Sequence, residues 1–205
     1  MSIVAVFGHS GRMLLLSLLA LFGCAHRPVV VAVPDALPEV QIPGSVLEFY
    51  EISGSNPVDV VESLVTVSPA VGNIHHAAQT RWEVVWRYPA GPDDRPDQCD
   101  LSTVDVKVSI VTDFPRWSPT AEAAESDVRE WQRYTRALAV HEAEHVRLID
   151  ELAGTLPGVL SAGDCASADA RGQAVLDAIR EANTQLDVVT RDGATQGAAL
   201  AWLGA

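Results

Sequence analysis

Apolar residues recur with a helical period in the second half of the chain, between positions 131 and 152. Their spacings of three and four residues place them on one face of an α-helix. This face consists of Trp131, Tyr134, Leu138, His141, His145, Leu148 and Leu152. The pattern predicts a long helix that begins within residues 120–127 and ends before Pro157, because proline does not continue a helix.

A second long helix is predicted over residues 167–186, with an apolar face formed by Val175, Ile179, Ala182 and Leu186. A shorter helix is predicted after Asn56 and Pro57. This pair is typical of an N-cap followed by proline at the first helical position.

Three segments alternate apolar and polar residues with the period of two that is typical of half-buried strands. They lie at residues 47–52, 82–88 and 104–110. A polar loop at 89–100 separates the last two, which we expect to form an antiparallel pair. The elements together predict an α+β fold, in which a small antiparallel sheet packs against the long helix and the second long helix lies alongside. Residues 46–205 suit one domain with one core.

The beginning of the chain carries a different pattern. Arg12 precedes an apolar run at positions 13–22, which suits an export signal and is too short to span a bilayer. The run ends in Leu21-Phe22-Gly23-Cys24, which resembles a bacterial lipobox. Residues 1–23 are therefore predicted to be a signal peptide of the lipoprotein type, and Cys24 is predicted to carry lipid. The alternative is an ordinary signal peptide that is cut nearby.

Residues 24–45 are predicted to form an extended tether between the lipid and the domain, with residues 29–33 as a candidate edge strand. The prolines that prevent a helix there are Pro28, Pro34, Pro38 and Pro43. Ala25 gives no inner-membrane retention signal of the aspartate kind. We therefore expect an exported lipoprotein on the periplasmic side of the cell envelope, anchored in the outer membrane.

The chain has three cysteines, and an odd number in an exported protein requires an explanation. If Cys24 carries lipid, Cys99 and Cys165 remain and would pair in an oxidising periplasm. The alternative is two unpaired thiols, with Cys165 as a small buried apolar residue.

The formal net charge is −13, and no basic patch is apparent. This charge argues against nucleic acid as a partner and against electrostatic docking on anionic lipid.

The long helix contains His141-Glu142-Ala143-Glu144-His145, a His-Glu-x-x-His motif. Residues four apart lie above one another on a helix, so both imidazoles can point at one metal ion. Glu142 is then predicted to be the catalytic base, and one ligand position stays open for water. The alternative is that the helix buries both histidines in the protein core, where neighbouring groups satisfy their hydrogen bonds.

Several segments between residues 49 and 200 carry a family resemblance. They are Tyr-Glu-Ile-Ser-Gly at 50–54, the strand at 82–88, Cys99 before a valine-rich strand, Pro-Arg-Trp at 115–117, Trp-Gln-Arg-Tyr at 131–134 leading into the motif, and 187–197. In this order they resemble the bacterial family catalogued as domain of unknown function 922. Its members are described as candidate secreted zinc-dependent proteases. The resemblance implies peptide substrates and zinc as the cofactor.

In that family the last segment reads Asp-x-x-Thr-x-His-Gly, and its histidine is the natural third ligand. Asp192 stands at that position here. A carboxylate oxygen also binds zinc, so Asp192 is predicted to complete the set with His141 and His145. Two histidines and a carboxylate equally suit iron or manganese. The alternative is a decayed site in which Asp192 is only a turn residue.

Other acidic side chains could take the third position instead. They are Asp187, Asp150, Asp164 and Glu181. For Asp187 a second role is open, which is to orient a ligand histidine through a hydrogen bond.

These observations predict a zinc-dependent metallopeptidase of the bacterial cell envelope. The competing hypothesis is a catalytically silent envelope lipoprotein that binds or scaffolds a partner. A third hypothesis is a metal-buffering protein, which would not need Glu142. Geometry separates the first two, because a silent protein is favoured if no acidic side chain reaches the histidine pair.

Overall fold

The structure, a computed structural model, describes residues 40–71, 74–89 and 99–203. The predicted signal peptide, the lipidation site Cys24 and the expected strand at 29–33 lie outside the described residues. So does most of the predicted tether.

The described residues form an α+β fold, as predicted. The strands are β1 (Val46–Ile52), β2 (Ala70–Val71), β3 (Ile74–His75), β4 (Gln79–Arg87) and β5 (Asp105–Trp117). A three-stranded sheet has the order β1-β5-β4, and β2 pairs with β3 in a small separate ribbon. β4 and β5 are antiparallel, with Trp82 opposite Ile110, which confirms the expected pair.

The main sheet is mixed, whereas the sequence pattern predicted an antiparallel one. β1 runs parallel to β5, with Leu47 opposite Thr112. Alternation of apolar and polar residues shows which face of a strand is buried but not the direction in which it pairs. Because β1 and β5 are not joined by a hairpin, the connection between them does not require antiparallel pairing.

Four α-helices accompany the sheet in the described part of the chain: α1 (Pro57–Val67), α2 (Glu125–Ala153), α3 (Leu156–Ser161) and α4 (Cys165–Thr190). The predicted N-cap of α1 is confirmed, since the Asn56 side chain accepts hydrogen bonds from the amides of Val58 and Asp59. α3 is a single short helix after α2 that the sequence pattern did not predict.

The core lies between the sheet and the two long helices, since α2 contacts β4, β5 and α4, and α4 also contacts β4 through Asp169 and Trp86. Trp117 of β5 packs edge-on against Trp131 of α2 and against Trp202, at centroid distances of 5.8 and 6.3 Å. The first part of the predicted α2 face is buried through His145. Beyond it the buried positions are Val146, Ile149 and Ala153, while Leu148 and Leu152 are partly exposed.

The beginning of α4 is attached to the sheet by covalent and polar contacts. Cys99 and Cys165 form a disulfide, which confirms the predicted pair. Nearby, Trp86 Nε1 and the Tyr88 hydroxyl both donate to Asp169 Oδ1 at 2.9 Å. Among the described helices, none is both long enough and apolar enough to cross a membrane.

The disulfide generates a prediction about stability. It joins residues that are 66 positions apart. Constraining a loop of that length in the unfolded chain should stabilise the fold by about 4 kcal/mol. Replacing Cys99 and Cys165 by serine should lower the free energy of unfolding in urea by about that amount. Dithiothreitol should destabilise the wild type but not the double variant, and equal responses of the two proteins would contradict the prediction.

Candidate metal centre

α2 holds two histidine side chains side by side inside the fold. His141 and His145 are 4% and 8% exposed, and their Nε2 atoms lie 3.3 Å apart. This contact follows from the spacing of four residues, which is slightly more than one helical turn. The structure therefore brings the predicted pair together on the buried face of the helix.

Asp187 of α4 reaches both rings with one oxygen atom. Its Oδ1 lies 2.9 Å from His145 Nε2 and 3.3 Å from His141 Nε2. Asp187 is in the last turn of α4, and the packing of α4 on α2 turns its side chain towards the pair. His141, His145 and Asp187 form a group that can hold a metal ion.

The spacing of the three atoms tests whether this donor set fits a metal ion. Zinc binds imidazole nitrogen at about 2.0–2.1 Å and prefers tetrahedral ligands, which places neighbouring ligand atoms about 3.3–3.4 Å apart. Two of the three separations here are 3.3 Å and the third is 2.9 Å. The side chains therefore need only a small adjustment to bind one ion.

The outer nitrogens of both rings face amide oxygens. His145 Nδ1 is 2.6 Å from Asn183 Oδ1, and His141 Nδ1 is 2.9 Å from Gln196 Oε1. Asn183 Nδ2 donates to the carbonyl of Ile179 at 2.8 Å, so its oxygen must face the ring. With an ion bound, a proton on each Nδ1 would leave both Nε2 lone pairs free to bind it, as in known metal-binding histidines. Without an ion, a ring proton on Nε2 can instead be donated to Asp187.

The structure does not place the predicted ligand Asp192 in this group. Asp192 is exposed and follows the end of α4, with a left-handed φ of 52°. It lines the same cleft, but its clearest contact is a backbone one, since its amide donates to the carbonyl of Asp187 at 2.9 Å. Asp187 takes the position that the sequence assigned to Asp192, because α4 continues to Thr190 and still presents Asp187 on a helical face.

The remaining acidic candidates lie elsewhere. Asp164 is the N-cap of α4 and accepts from the amide of Ser167, while Asp150 and Glu181 are exposed.

Glu142 is buried beside the histidine pair, with an exposure of 3%. Its Oε2 accepts a hydrogen bond from the Thr80 hydroxyl of β4 at 2.7 Å. Burial raises the pKa of Glu142 above its usual range, although the hydrogen bond from Thr80 and the two histidines oppose this shift. A carboxyl group with a raised pKa is suited both to accept and to return a proton.

The other titratable groups respond to their mutual contacts. Burial alone would raise the pKa of Asp187, but hydrogen bonds to His141 and His145 outweigh it and hold this pKa well below its usual range. Burial alone would lower the pKa of His145, but the bond to Asp187 and the nearby Glu142 outweigh it and raise this pKa. Asp187 is therefore ionised at neutral pH, as a carboxylate ligand must be.

The group opens into a cleft of about 540 Å³ between α2, α4 and the start of β4. The opposite wall is formed by the segment from His75 to Thr80 together with Trp82. Tyr134 and Leu138 line the cleft from the preceding turns of α2. A volume of this size accommodates a small substrate or a segment of a larger one.

Comparison with known protein families places the chain beside a bacterial family. The profile of a family of bacterial proteins of unknown function, DUF922, matches residues 47–194. The chain belongs to the DUF922 family. The comparisons with curated proteins and with solved structures returned no match. The DUF922 description names no activity, so the proteolytic function implied by the resemblance is taken up below as a proposal.

Three polar residues of the site in this DUF922 chain were not predicted from the sequence. They are Thr80, Asn183 and Gln196. Asn183 carried the clearest available signal, because it lies one helical turn before Asp187 on α4 and so shares its face. Thr80 and Gln196 are contributed by a strand and by a turn, and their contacts depend on the tertiary packing alone.

The geometry predicts which carboxylate binds the ion. Asp187→Ala should reduce zinc affinity by more than the ten- to a hundredfold that is typical of losing an outer hydrogen bond, because it removes a charged ligand. Asp192→Ala is the matched control and should bind zinc as the wild type does. Titration with a zinc chelator as competitor measures both. Loss of binding in Asp192→Ala with retention in Asp187→Ala would reverse the assignment.

The outer hydrogen bonds give a second, weaker effect. Asn183→Leu removes the acceptor that orients His145 while leaving every ligand atom in place. We expect zinc affinity to fall by about ten- to a hundredfold. Circular dichroism and thermal unfolding should show an intact fold. Unchanged zinc affinity in a folded variant would show that Asn183 does not orient the ring.

Proposed function

We propose that this DUF922 chain is a metal-dependent hydrolase of the bacterial cell envelope, with peptide bonds as its substrate and zinc as its metal. One observation carries the proposal. Two histidines and a carboxylate converge on one point, and Glu142 lies beside them on the wall of an open cleft.

In this proposal the ion is held by His141 Nε2, His145 Nε2 and Asp187 Oδ1. Zinc supplies Lewis-acid chemistry when bound, since it acidifies water and polarises a substrate carbonyl. The near-tetrahedral spacing of the donor atoms favours zinc. A set of two histidines and one carboxylate also suits iron and manganese, so the metal has to be identified by measurement.

Glu142 is the proposed catalytic base. Its Oε2 is engaged by Thr80, which leaves the second carboxylate oxygen to accept a proton from the attacking water. The same group then returns this proton to the leaving amine. The environment of Glu142 supports both steps, because burial raises its pKa above its usual range.

Asn183 and Gln196 hold the rings in the tautomer that the reaction requires. Their oxygens accept the Nδ1 protons, so the Nε2 lone pairs stay directed at the ion. Neither residue needs to move during the reaction.

The geometry bears on the competing hypotheses. A catalytically silent protein is favoured if no acidic side chain reaches the histidine pair, and Asp187 reaches both rings, which supports the hydrolase instead. A metal-buffering protein would use the same three ligands but has no use for a buried glutamate beside them. Burying a carboxylate has a free-energy cost, and catalysis is the role that accounts for Glu142 at this position.

The envelope location is part of the proposal. It rests on the export signal and the lipobox-like Cys24 of the sequence. The disulfide between Cys99 and Cys165 supports it, because such bonds persist mainly in oxidising compartments.

Glu142→Gln tests the proposed function. This variant keeps the shape of the side chain and every metal ligand but cannot accept a proton. Zinc stoichiometry should stay the same, while cleavage of a pool of quenched fluorescent peptides should fall by about a hundred- to ten-thousandfold. Mass spectrometry of the peptide pool identifies the cleaved bonds. Equal cleavage by the zinc-loaded wild type and the variant would refute Glu142 as the base and leave metal buffering as the better account.

A further inference from the structure

A row of three hydroxyl groups runs from Glu142 across the sheet. Thr80 Oγ1 of β4 lies 2.7 Å from Glu142 Oε2 and 3.0 Å from Thr112 Oγ1 of β5. Thr112 Oγ1 lies 2.8 Å from Ser45 Oγ, which stands just before β1. Thr80 and Thr112 are direct partners in the register of β4 and β5, whereas Ser45 precedes β1, in which Leu47 is the residue opposite Thr112.

Burial gives this row its significance. Thr112 is fully buried in the central strand, and its hydroxyl has only the two other hydroxyls as partners in the described part of the chain. Valine would fill the same space without any polar atom to satisfy. The row ends on Glu142, which is the one buried carboxylate among the described residues and lies beside the histidine pair.

The protons of the row can be assigned from the carboxylate. Thr80 donates its single proton to Glu142 Oε2. Thr80 oxygen is then free to accept from Thr112, and Thr112 oxygen to accept from Ser45. The Ser45 hydroxyl also lies 3.3 Å from the Val46 carbonyl and 3.4 Å from the Ile110 carbonyl, both longer than its 2.8 Å contact with Thr112. With Ser45 donating to Thr112, all three O–H groups point towards Glu142, and each bond polarises and strengthens the next.

We propose that Thr80 is a positioning residue for Glu142, supported by Thr112 and Ser45. The hydroxyl row holds Oε2 and selects one side-chain conformation, so that the other carboxylate oxygen is the one presented to the cleft. This inference rests on the proposed role of Glu142 as a base, and it adds the device that keeps the base aligned. Thr80 also lines the cleft, and the role proposed here is exerted through Glu142.

The test compares four variants of the purified protein. Thr80→Val removes the hydroxyl and keeps the branched shape, whereas Thr80→Ser keeps the hydroxyl. Ser45→Ala breaks the far end of the row at a partly exposed position. The proposal can therefore still be tested with this variant if Thr80→Val does not fold. Thr135→Val is the matched control, since it removes a buried hydroxyl that bonds only to carbonyls of its own helix.

The first readout is structural and needs neither metal nor substrate. NMR of protein with labelled glutamate and threonine reports the conformation of the Glu142 side chain and the exchange rate of the Thr80 hydroxyl proton. We expect one conformation in the wild type, Thr80→Ser and Thr135→Val, and averaging in Thr80→Val. Ser45→Ala should speed the exchange of the Thr80 proton. A single unchanged Glu142 conformation in Thr80→Val, or unchanged exchange in Ser45→Ala if Thr80→Val is unfolded, would overturn the proposal.

The second readout is hydrolysis of the peptide pool. Thr80→Val should lower kcat by about ten- to a hundredfold with KM and zinc affinity unchanged, and Thr80→Ser should restore it. Equal kcat in the wild type and Thr80→Val would overturn the positioning role even if the conformation changes. If the wild type hydrolyses nothing, the proposed function fails, and the NMR comparison still decides whether the hydroxyl row holds Glu142.

Discussion

The packing of α4 against α2 is the contact on which the site depends. Each helix presents a pair of residues one turn apart, His141 and His145 on α2 and Asn183 and Asp187 on α4. Both members of the α4 pair touch His145, one at each ring nitrogen. Sliding either helix by one turn, about 5.4 Å, would break both contacts at once. The site therefore forms in only one register of the two helices.

α4 is held at both ends, and by different kinds of interaction. Its first residue, Cys165, is bonded to Cys99, and Asp169 accepts from two aromatic side chains of the sheet region. Asp187 lies 22 residues further on, about 33 Å along the helix axis. The covalent anchor therefore fixes where α4 begins, while Asn183 and Asp187 fix how its far end meets α2. Ile179 lies on α4 between these two groups of contacts, and its fully buried side chain belongs to the hydrophobic core.

A buried cluster of polar groups normally destabilises a fold, and here each member has a partner. No buried side-chain nitrogen or oxygen lacks one over residues 40–71, 74–89 and 99–203. A single unsatisfied group of this kind costs about 1–3 kcal/mol. Because the histidines, Glu142 and Asp187 are satisfied by groups from the sheet, α4 and the following turn, their conformations are fixed in the folded protein. The donor atoms are thus arranged before any ion binds, which lowers the reorganisation needed for binding.

The sequence predicted the parts of this arrangement that repeat along one element. The period of α2 located His141 and His145 on a buried face, and alternation located β4 and β5. Periodicity was insufficient where two elements meet. It did not show that β1 runs parallel to β5, nor that α2 buries Ile149 rather than Leu148 in its second half. Thr80, Asn183 and Gln196 act through contacts between elements, so no pattern within one element marks them.

The choice between Asp187 and Asp192 shows this limit most clearly. Left-handed φ angles at Arg191, Asp192 and Gly193 turn the chain sharply after α4. Gly193 is required in this turn, because a Cβ there would lie 2.9 Å from the His141 ring. The turn then delivers Gln196 to the outer nitrogen of His141. The last segment of the family resemblance, at 187–197, thus contributes three features to the histidine pair. The Asp187 carboxylate contacts both rings, Gly193 leaves room for the His141 ring, and the Gln196 amide oxygen faces its outer nitrogen. None of these features requires a metal ligand at position 192.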